Sequence, residues 1–277
     1  MVHLYVSSFN NDTSWVKVPG ADVWTLEVGM SIRPDQDKRR KPNHILYDDD
    51  GENISEENQY FGELTGLYWL WKHLDYPDDE IIGFCHYSKC LDISAKRIES
   101  FLRKRPSDGW IALEPVPICS HRYPEDMVVL ADVLSQVPDE KYIEAWNELY
   151  NSDGSSKDKN ANCHSGQLFY TTMSQFKDYC EFLFDVVFKA RQIIGDVDRV
   201  PYHKRYCAFF GERLLSVWLR ANNATVKPAH IRYDEKPIVY IGRKLAVTLK
   251  IDNNKELKYF VRKLRGKTND GSSWSRV

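Results

Sequence analysis

The sequence predicts an α/β fold with a largely parallel central sheet in one domain, followed by a basic helical tail. Three observations carry that prediction. Short apolar runs of strand length alternate with amphipathic segments of helix length along residues 1 to 237. The interior run Ile81-Ile82-Gly83-Phe84-Cys85 is continuously apolar, as a strand buried on both faces is. Charge is split unevenly: ten basic and three acidic residues lie in Ile238 to Val277, a net +7, leaving −9 on the rest.

Leu4-Tyr5-Val6 opens the chain as a short buried strand, closed by the polar run Ser7 to Ser14. Asp22 to Ile32 holds a second strand, and the charged, Pro-punctuated stretch Arg33 to Asp50 reads as a long loop. Tyr60, Phe61, Leu64, Leu67, Tyr68, Trp71 and Leu74 recur at helical spacing. Asn53 or Ser55 can cap that helix, Glu56 and Glu57 suit its positive end, and Lys72 and His73 its negative end. Trp69 lies opposite the stripe, so the helix is expected to be buried on more than one side. Tyr76 to Asp79 is a turn and Glu80 to Tyr87 a central strand. Trp110 to Leu113 is another strand, and a helix is expected around Tyr142 to Tyr150. Asn151 to Asn162 is loop-like, and Gln167 to Tyr170 resumes as a strand. Helices follow from Ser174 and over about Arg205 to Asn222. In the tail, Leu257, Phe260, Val261 and Leu264 form a stripe, with Asn253 and Glu256 at capping-box spacing.

Composition excludes several classes. Charged residues at 28% and hydrophobic residues at 42% exclude a disordered chain. No apolar run approaches ~18 residues, so no membrane span is expected, and the first residues lack the pattern of a secretory leader. A net charge of −2 disfavours a nucleic-acid-binding protein. The six cysteines have no zinc-ligand spacing and read as reduced thiols of a cytoplasmic protein. Dinucleotide, P-loop, zincin and hydrolase-elbow motifs are absent. Aromatics reach 13%, which suits stacking on sugars and suits a packed core equally.

Four polar groupings are candidates for chemistry, each with a plainer alternative. Asp48-Asp49-Asp50-Gly51 has the carboxylate spacing that holds Mg²⁺ or Mn²⁺ through oxygen, or is a solvated acidic turn. His86-Tyr87-Ser88-Lys89 follows the central strand, where open α/β sheets bind ligands. His86 and Lys89 could neutralise a diphosphate there, or His86 is a core histidine. Glu63 borders the apolar stripe, where it either orients a ligand hydroxyl or pairs with a basic neighbour. Glu212-Arg213 offers a general base beside a cation, or a helix-surface ion pair.

Asn53-Ile54-Ser55, Gly62-Glu63-Leu64-Thr65-Gly66-Leu67-Tyr68-Trp69-Leu70-Trp71-Lys72 and Ile82-Gly83-Phe84-Cys85-His86-Tyr87 together resemble a family catalogued as a domain of unknown function. Its members occur among bacterial capsular and exopolysaccharide glycosyltransferases, some of them galactofuranosyltransferases. The likeness continues through Phe176 to Phe184 and Phe210 to Trp218, so it runs over roughly residues 3 to 232. Two features depart from the family pattern: Ser88-Lys89 replaces a pair of arginines, and Cys163-His164-Ser165-Gly166-Gln167 is more polar than the family's strand.

The resemblance implies one GT-A-like, Rossmann-like domain over 1–237 that binds a nucleotide-diphosphate sugar, with 238–277 as a basic extension. It implies transfer from a donor, a UDP-sugar before others, to a glycan or lipid-linked acceptor in surface polysaccharide synthesis. Glu212 is then the base, with His86, Tyr87, Lys89 and Arg213 near the diphosphate and Ser7, Asn53 and Glu63 around the donor. Asp48 and Asp50 are the candidates if Mg or Mn takes part, although a basic diphosphate site without metal is the preferred reading. An inverting hexosyltransferase is the working expectation, though one carboxylate does not fix stereochemistry. The basic amphipathic tail suggests contact with the inner membrane face, or a helix packed on the domain with a solvated face. The alternative function is a non-catalytic nucleotide- or glycan-binding module that kept the fold, motivated by Ser88-Lys89.

Overall fold

The computed structural model describes residues 1–33, 44–158, 163–164 and 166–234. The chain divides into two compact units, Met1–Ile231 and Arg232–Val277. The tail helix and the boundary read at Pro237 lie outside the described residues.

The strands are β1 (Val2–Ser8), β2 (Asp22–Glu27), β3 (Ile45–Tyr47), β4 (Ile81–His86), β5 (Lys89–Leu91), β6 (Gly109–Leu113), β7 (Phe169–Thr172), β8 (Thr225–Ala229) and β9 (Ile231–Tyr233). Their order in the sheet is β3-β2-β1-β4-β7-β6-β8, with β5 paired to the end of β4. β1 runs parallel to β2 and β4, β2 to β3, and β6 to β8. β7 alone on this path is antiparallel to its neighbours, β4 and β6. The fold is therefore α/β with a mostly parallel sheet, and the carboxyl ends of β1, β2, β4 and β6 share one edge.

The helices are α1 (Asn58–Phe61), α2 (Leu64–His73), α3 (Ala95–Leu102), α4 (Pro124–Ser135), α5 (Lys141–Leu149), α6 (Met173–Ile194), α7 (Pro201–Lys204) and α8 (Tyr206–Ala221). Side chains alternate across a strand, and the sheet separates two cores accordingly. Tyr5, Ile82, Phe84 and Trp110 face one core with residues of α2, α4, α5, α6 and α8. Leu4, Val6, Ile81, Cys85 and Ile111 face the other with Ile98 and Leu102 of α3. Helices on both faces explain why β1 is buried at every residue and β4 at all but its last. Most of the aromatic excess is core: Trp110, Phe169, Phe176 and Tyr179 are essentially buried and in mutual ring contact.

Three local expectations change. The amphipathic pattern from Tyr60 to Leu74 is not one helix: it breaks between α1 and α2 at Gly62, whose φ of 53° and ψ of −129° no helix contains. Neither Asn53 nor Ser55 caps a helix through its side chain; Asn53 instead accepts from the Ser55 N–H at 3.1 Å and shapes the turn before a single 3-10 turn, Ser55–Glu57. The stretch read as loop from Arg33 contains β3. All six cysteines are free, five of them buried and Cys119 exposed.

Candidate active site

The sheet's carboxyl edge is built by β4 and the segments packed against it. β4 is apolar until His86, and a two-residue turn, Tyr87-Ser88, reverses the chain into β5. His86 and Lys89 are direct cross-strand partners. Directly opposed residues project on the same face, so the hairpin sets an imidazole and an ammonium side by side. Lys89 reaches towards Gly166, whose φ of 77° and missing Cβ leave it room; a Cβ there would lie 3.5 Å from Nζ.

Glu63 arrives from the break between α1 and α2. Asn58 Nδ2 donates to the Gly62 carbonyl at 2.8 Å and to Thr65 Oγ1 at 2.9 Å. Thr65 donates in turn to Asp48 at 2.6 Å. This buried network fixes the kink that turns Glu63 towards the sheet edge. Glu63 Oε1 lies 3.3 Å from His86 Nε2, with side chains only 10% and 18% exposed. The contact is an ion pair when the imidazole is protonated and lacks hydrogen-bond geometry, and Nε2 is a buried nitrogen without a hydrogen-bond partner. Burial works against ionisation of Glu63, but His86 outweighs it and Arg205 adds to it, so the carboxyl is pulled down to about 2.

Glu212, half-buried on α8, is shifted the other way. Burial raises its pKa and the Glu63 carboxylate raises it further, against the opposing pull of Lys89, Arg213 and His86. Two carboxylates in one cluster are thus driven apart, one held ionised and one made basic, which is the pattern that assigns acid–base roles. The same cluster includes two residues that the sequence reading passed over. Burial, Glu212 and Glu63 raise the Tyr202 phenol, while Arg205 lowers it. Arg205 lies 5.4 Å from the Tyr202 ring. The visible signal was the run Tyr202-His203-Lys204-Arg205, aromatic and basic just after Pro201.

The remaining sequence candidates lie elsewhere or serve the scaffold. Ser7 is buried at the end of β1, in register with His86, and its carbonyl accepts from the Tyr87 N–H at 2.8 Å. Tyr87 is exposed at the turn, where its carbonyl accepts from Trp15 Nε1. Asn53 donates to the carbonyls of Asp49 and Gly51 and stays within its own loop. Arg213 is 3% exposed and donates to the carbonyls of Gly154, Phe209 and Cys119 at 2.9, 3.1 and 3.2 Å. Its guanidinium is a clasp between α8 and two loops, each of its three nitrogens donating to a carbonyl, which gives the expectation that it meets a diphosphate no support.

Asp48 is corrected as well. It is fully buried, and its carboxylate accepts from the N–H groups of Gly29 and Met30 and the hydroxyls of Ser55 and Thr65, at 2.8, 3.1, 2.7 and 2.6 Å. Four donors occupy the lone pairs that a divalent cation would need, so Asp48 does not fit a metal site. Asp50 is exposed in the same turn, and its carbonyl accepts from Trp69 Nε1. No group of three His, Cys, Asp or Glu placed to hold a metal occurs among the described residues.

Residues 20–223 match the family described as a domain of unknown function, DUF4422. The chain belongs to that family. No curated protein matches it. Among solved structures, this DUF4422 chain is similar to WbbM, a bifunctional glycosyltransferase in its apo form, with a TM-score of 0.65 and 18% identity. The match covers 84% of this chain and 45% of that one, so the chain spans less than half of WbbM. At that identity the likeness is one of fold: the DUF4422 chain has the α/β architecture found in a glycosyltransferase.

Proposed function

We propose that the chain is a glycosyltransferase that moves a hexosyl group from a nucleotide-diphosphate donor, a UDP-sugar, to a hydroxyl of a glycan or lipid-linked acceptor. The observation that carries this reading is the cluster of Glu63, His86, Lys89 and Glu212 at the sheet's carboxyl edge, with the two carboxylates shifted in opposite directions. Fold likeness to a glycosyltransferase supports it, and so does the position outside the strand ends.

The chemistry has two charge problems, and the cluster supplies a group for each. Glu212, made more basic by burial and by Glu63, takes the proton of the acceptor hydroxyl as its oxygen attacks the anomeric carbon. The bond from that carbon to the diphosphate oxygen breaks, and the electron pair leaves with the diphosphate. His86 and Lys89, side by side on the hairpin, stabilise that departing charge. Glu63 holds His86 in place and keeps Glu212 basic. The outcome is inversion. Asp48 is excluded from this scheme, and no step depends on a metal. A place in capsular or exopolysaccharide synthesis, and membrane contact through residues 238–277, belong to this proposal on the sequence alone. No helix among the described residues is long and apolar enough to cross a membrane.

The test is nucleotide release over a panel of UDP- and other nucleotide-sugars, with and without acceptor glycans. Turnover that Glu212→Gln abolishes supports the reading. Nucleotide affinity without turnover on any donor assigns the chain instead as a binding module that kept the fold. Absence of turnover and of any nucleotide or glycan binding refutes the two together.

A further inference from the structure

Arg205 stands in the cluster without a task in the proposed reaction. It caps the start of α8 and lies two helical turns before Glu212, on the same side of the helix. The break between α1 and α2 packs directly on that side. A Cβ at Gly62 would lie 3.4 Å from Ala208 Cβ, 3.7 Å from Arg205 Cδ and 3.8 Å from Arg205 Nη1. A Cβ at Gly211 would lie 3.1 Å from both terminal methyls of Leu64. Glu63, between Gly62 and Leu64, is thus held against the stretch of α8 that runs from Arg205 to Glu212. Its carboxylate meets His86 at 3.3 Å, and His86 stands opposite Lys89 on the hairpin. Arg205 therefore adjoins the Glu63 end of that contact and Lys89 the His86 end.

The guanidinium has no acceptor. Among the described residues it makes no hydrogen bond and no ion pair, not even with Glu63, although it is near enough to help keep that carboxyl ionised. Arg205 is half-buried, yet none of its nitrogens is closed off from solvent, unlike His86 Nε2. The Tyr202 ring lies 5.4 Å from Cζ, an attraction that steadies the head and uses none of its five donors. Positive charge is short at this edge. Glu63 answers His86, which leaves Lys89 to face a diphosphate while Glu212 must also be ionised to act as base. A half-buried cation without an acceptor is unfavourable unless a ligand supplies one. A guanidinium fork matches two phosphate oxygens at once, which an ammonium group does not.

We propose that Arg205 is a binding residue for the donor's diphosphate, its fork taking two phosphate oxygens beside His86 and Lys89. The anion-binding role stands on this geometry; its assignment to the donor rests on the function proposed for the site. The packing of Gly62 and Gly211 on α8 and Leu64 fixes the reach of the fork relative to Glu63, so the group that holds His86 also sets where the diphosphate lies. The fork and the base then share one side of α8, two turns apart, with the leaving group at Arg205 and the acceptor hydroxyl at Glu212.

The experiment is calorimetric titration of the full chain and of its Arg205→Met and Arg205→Lys variants with UDP and with inorganic pyrophosphate, each beside a melting curve. Methionine keeps an apolar stem against Gly62 and removes the charge; lysine keeps the charge and removes the fork. The expected result is an affinity about tenfold weaker or worse for both ligands in Arg205→Met, the scale of a lost charge-assisted hydrogen bond, with Arg205→Lys in between. Parent affinity for both ligands in Arg205→Met overturns the role and leaves the side chain to packing alone. A loss for pyrophosphate with UDP unchanged overturns the donor assignment and gives the fork to a phosphate on the acceptor. UDP-sugar turnover whose donor KM is unchanged in Arg205→Met overturns Arg205 and spares the glycosyltransferase reading. Pyrophosphate binding that Arg205→Met weakens, with no nucleotide bound by the parent, keeps the anion role and removes that reading. A parent that binds neither ligand overturns the role and the donor together.

Discussion

Replacing Glu63 by Gln removes one charge and leaves the shape of the side chain, so its consequences follow from the ion pair alone. In the folded protein the carboxyl is pulled from an ordinary 4.5 down to about 2 by His86, against the cost of burial. A depressed carboxylate stabilises the folded state above its unfolded pKa, and that stabilisation is lost as pH falls through the folded value. The difference corresponds to about 3 kcal/mol while His86 carries its proton, and the side chain is too buried for solvent to screen much of it. Urea unfolding should therefore show Glu63→Gln less stable than the parent by about that amount near pH 5, with the gap narrowing from pH 4.5 towards 2. The same substitution removes the charge that raises Glu212, so Glu212 ionises at lower pH and the acid limb of the rate profile moves down. Equal stability near pH 5, or a gap that does not change with pH, refutes the ion pair. An acid limb that stays in place refutes the coupling between the two carboxylates.

Lys89→Ala should act with the opposite sign on the same limb: it removes a charge that lowers Glu212, so the acid limb moves up in pH, while the donor KM rises about tenfold or more from the lost phosphate contact. Gly62→Ala should cost about 1–3 kcal/mol in thermal or urea unfolding, because φ of 53° with ψ of −129° is a glycine conformation, and kcat should fall with it as Glu63 is displaced. Asp48→Ala leaves two N–H groups and the Ser55 hydroxyl buried without an acceptor, while Thr65 keeps the Gly62 carbonyl, and should lower stability by about 3–5 kcal/mol in urea; a loss under ~1 kcal/mol would show that the carboxylate is not the hub of that turn. Arg213→Met should destabilise in the same assay and leave nucleotide affinity in the folded fraction unchanged, since its donors all reach carbonyls.

The layers of the fold were legible because periodicity reports burial directly. Continuous apolar runs marked β1 and β4, and helical spacing marked the start of α6 and both ends of α8 to within about one residue of those observed. The break at Gly62 was not legible, since the apolar stripe continues in phase across it and glycine is tolerated in many helices. α3 and α4 were passed over for a different reason: each buries only a narrow stripe, and α3 carries a strongly polar outer face. The antiparallel insertion of β7 could not be read either, because strand direction depends on the path of the connecting chain rather than on the strand's own residues.

The site shows why composition names candidates but does not sort them. Asp48, Glu63 and Arg213 are all charged residues at the margin of apolar segments, and sequence pattern treats them alike. What separates them is whether their hydrogen-bonding capacity is already filled. Asp48 has four donors and Arg213 has three carbonyls, so each is complete within the fold. Glu63 and His86 face one another with a nitrogen still unsatisfied, and the Glu212 carboxyl sits beside a second carboxylate that disfavours its ionisation. A buried charge whose partners are complete stabilises a scaffold; one held in an incomplete set is kept at a free-energy cost that only a ligand relieves. By that criterion the incomplete groups are Lys89, His86, Glu63 and Glu212, gathered where β4 ends and β5 begins.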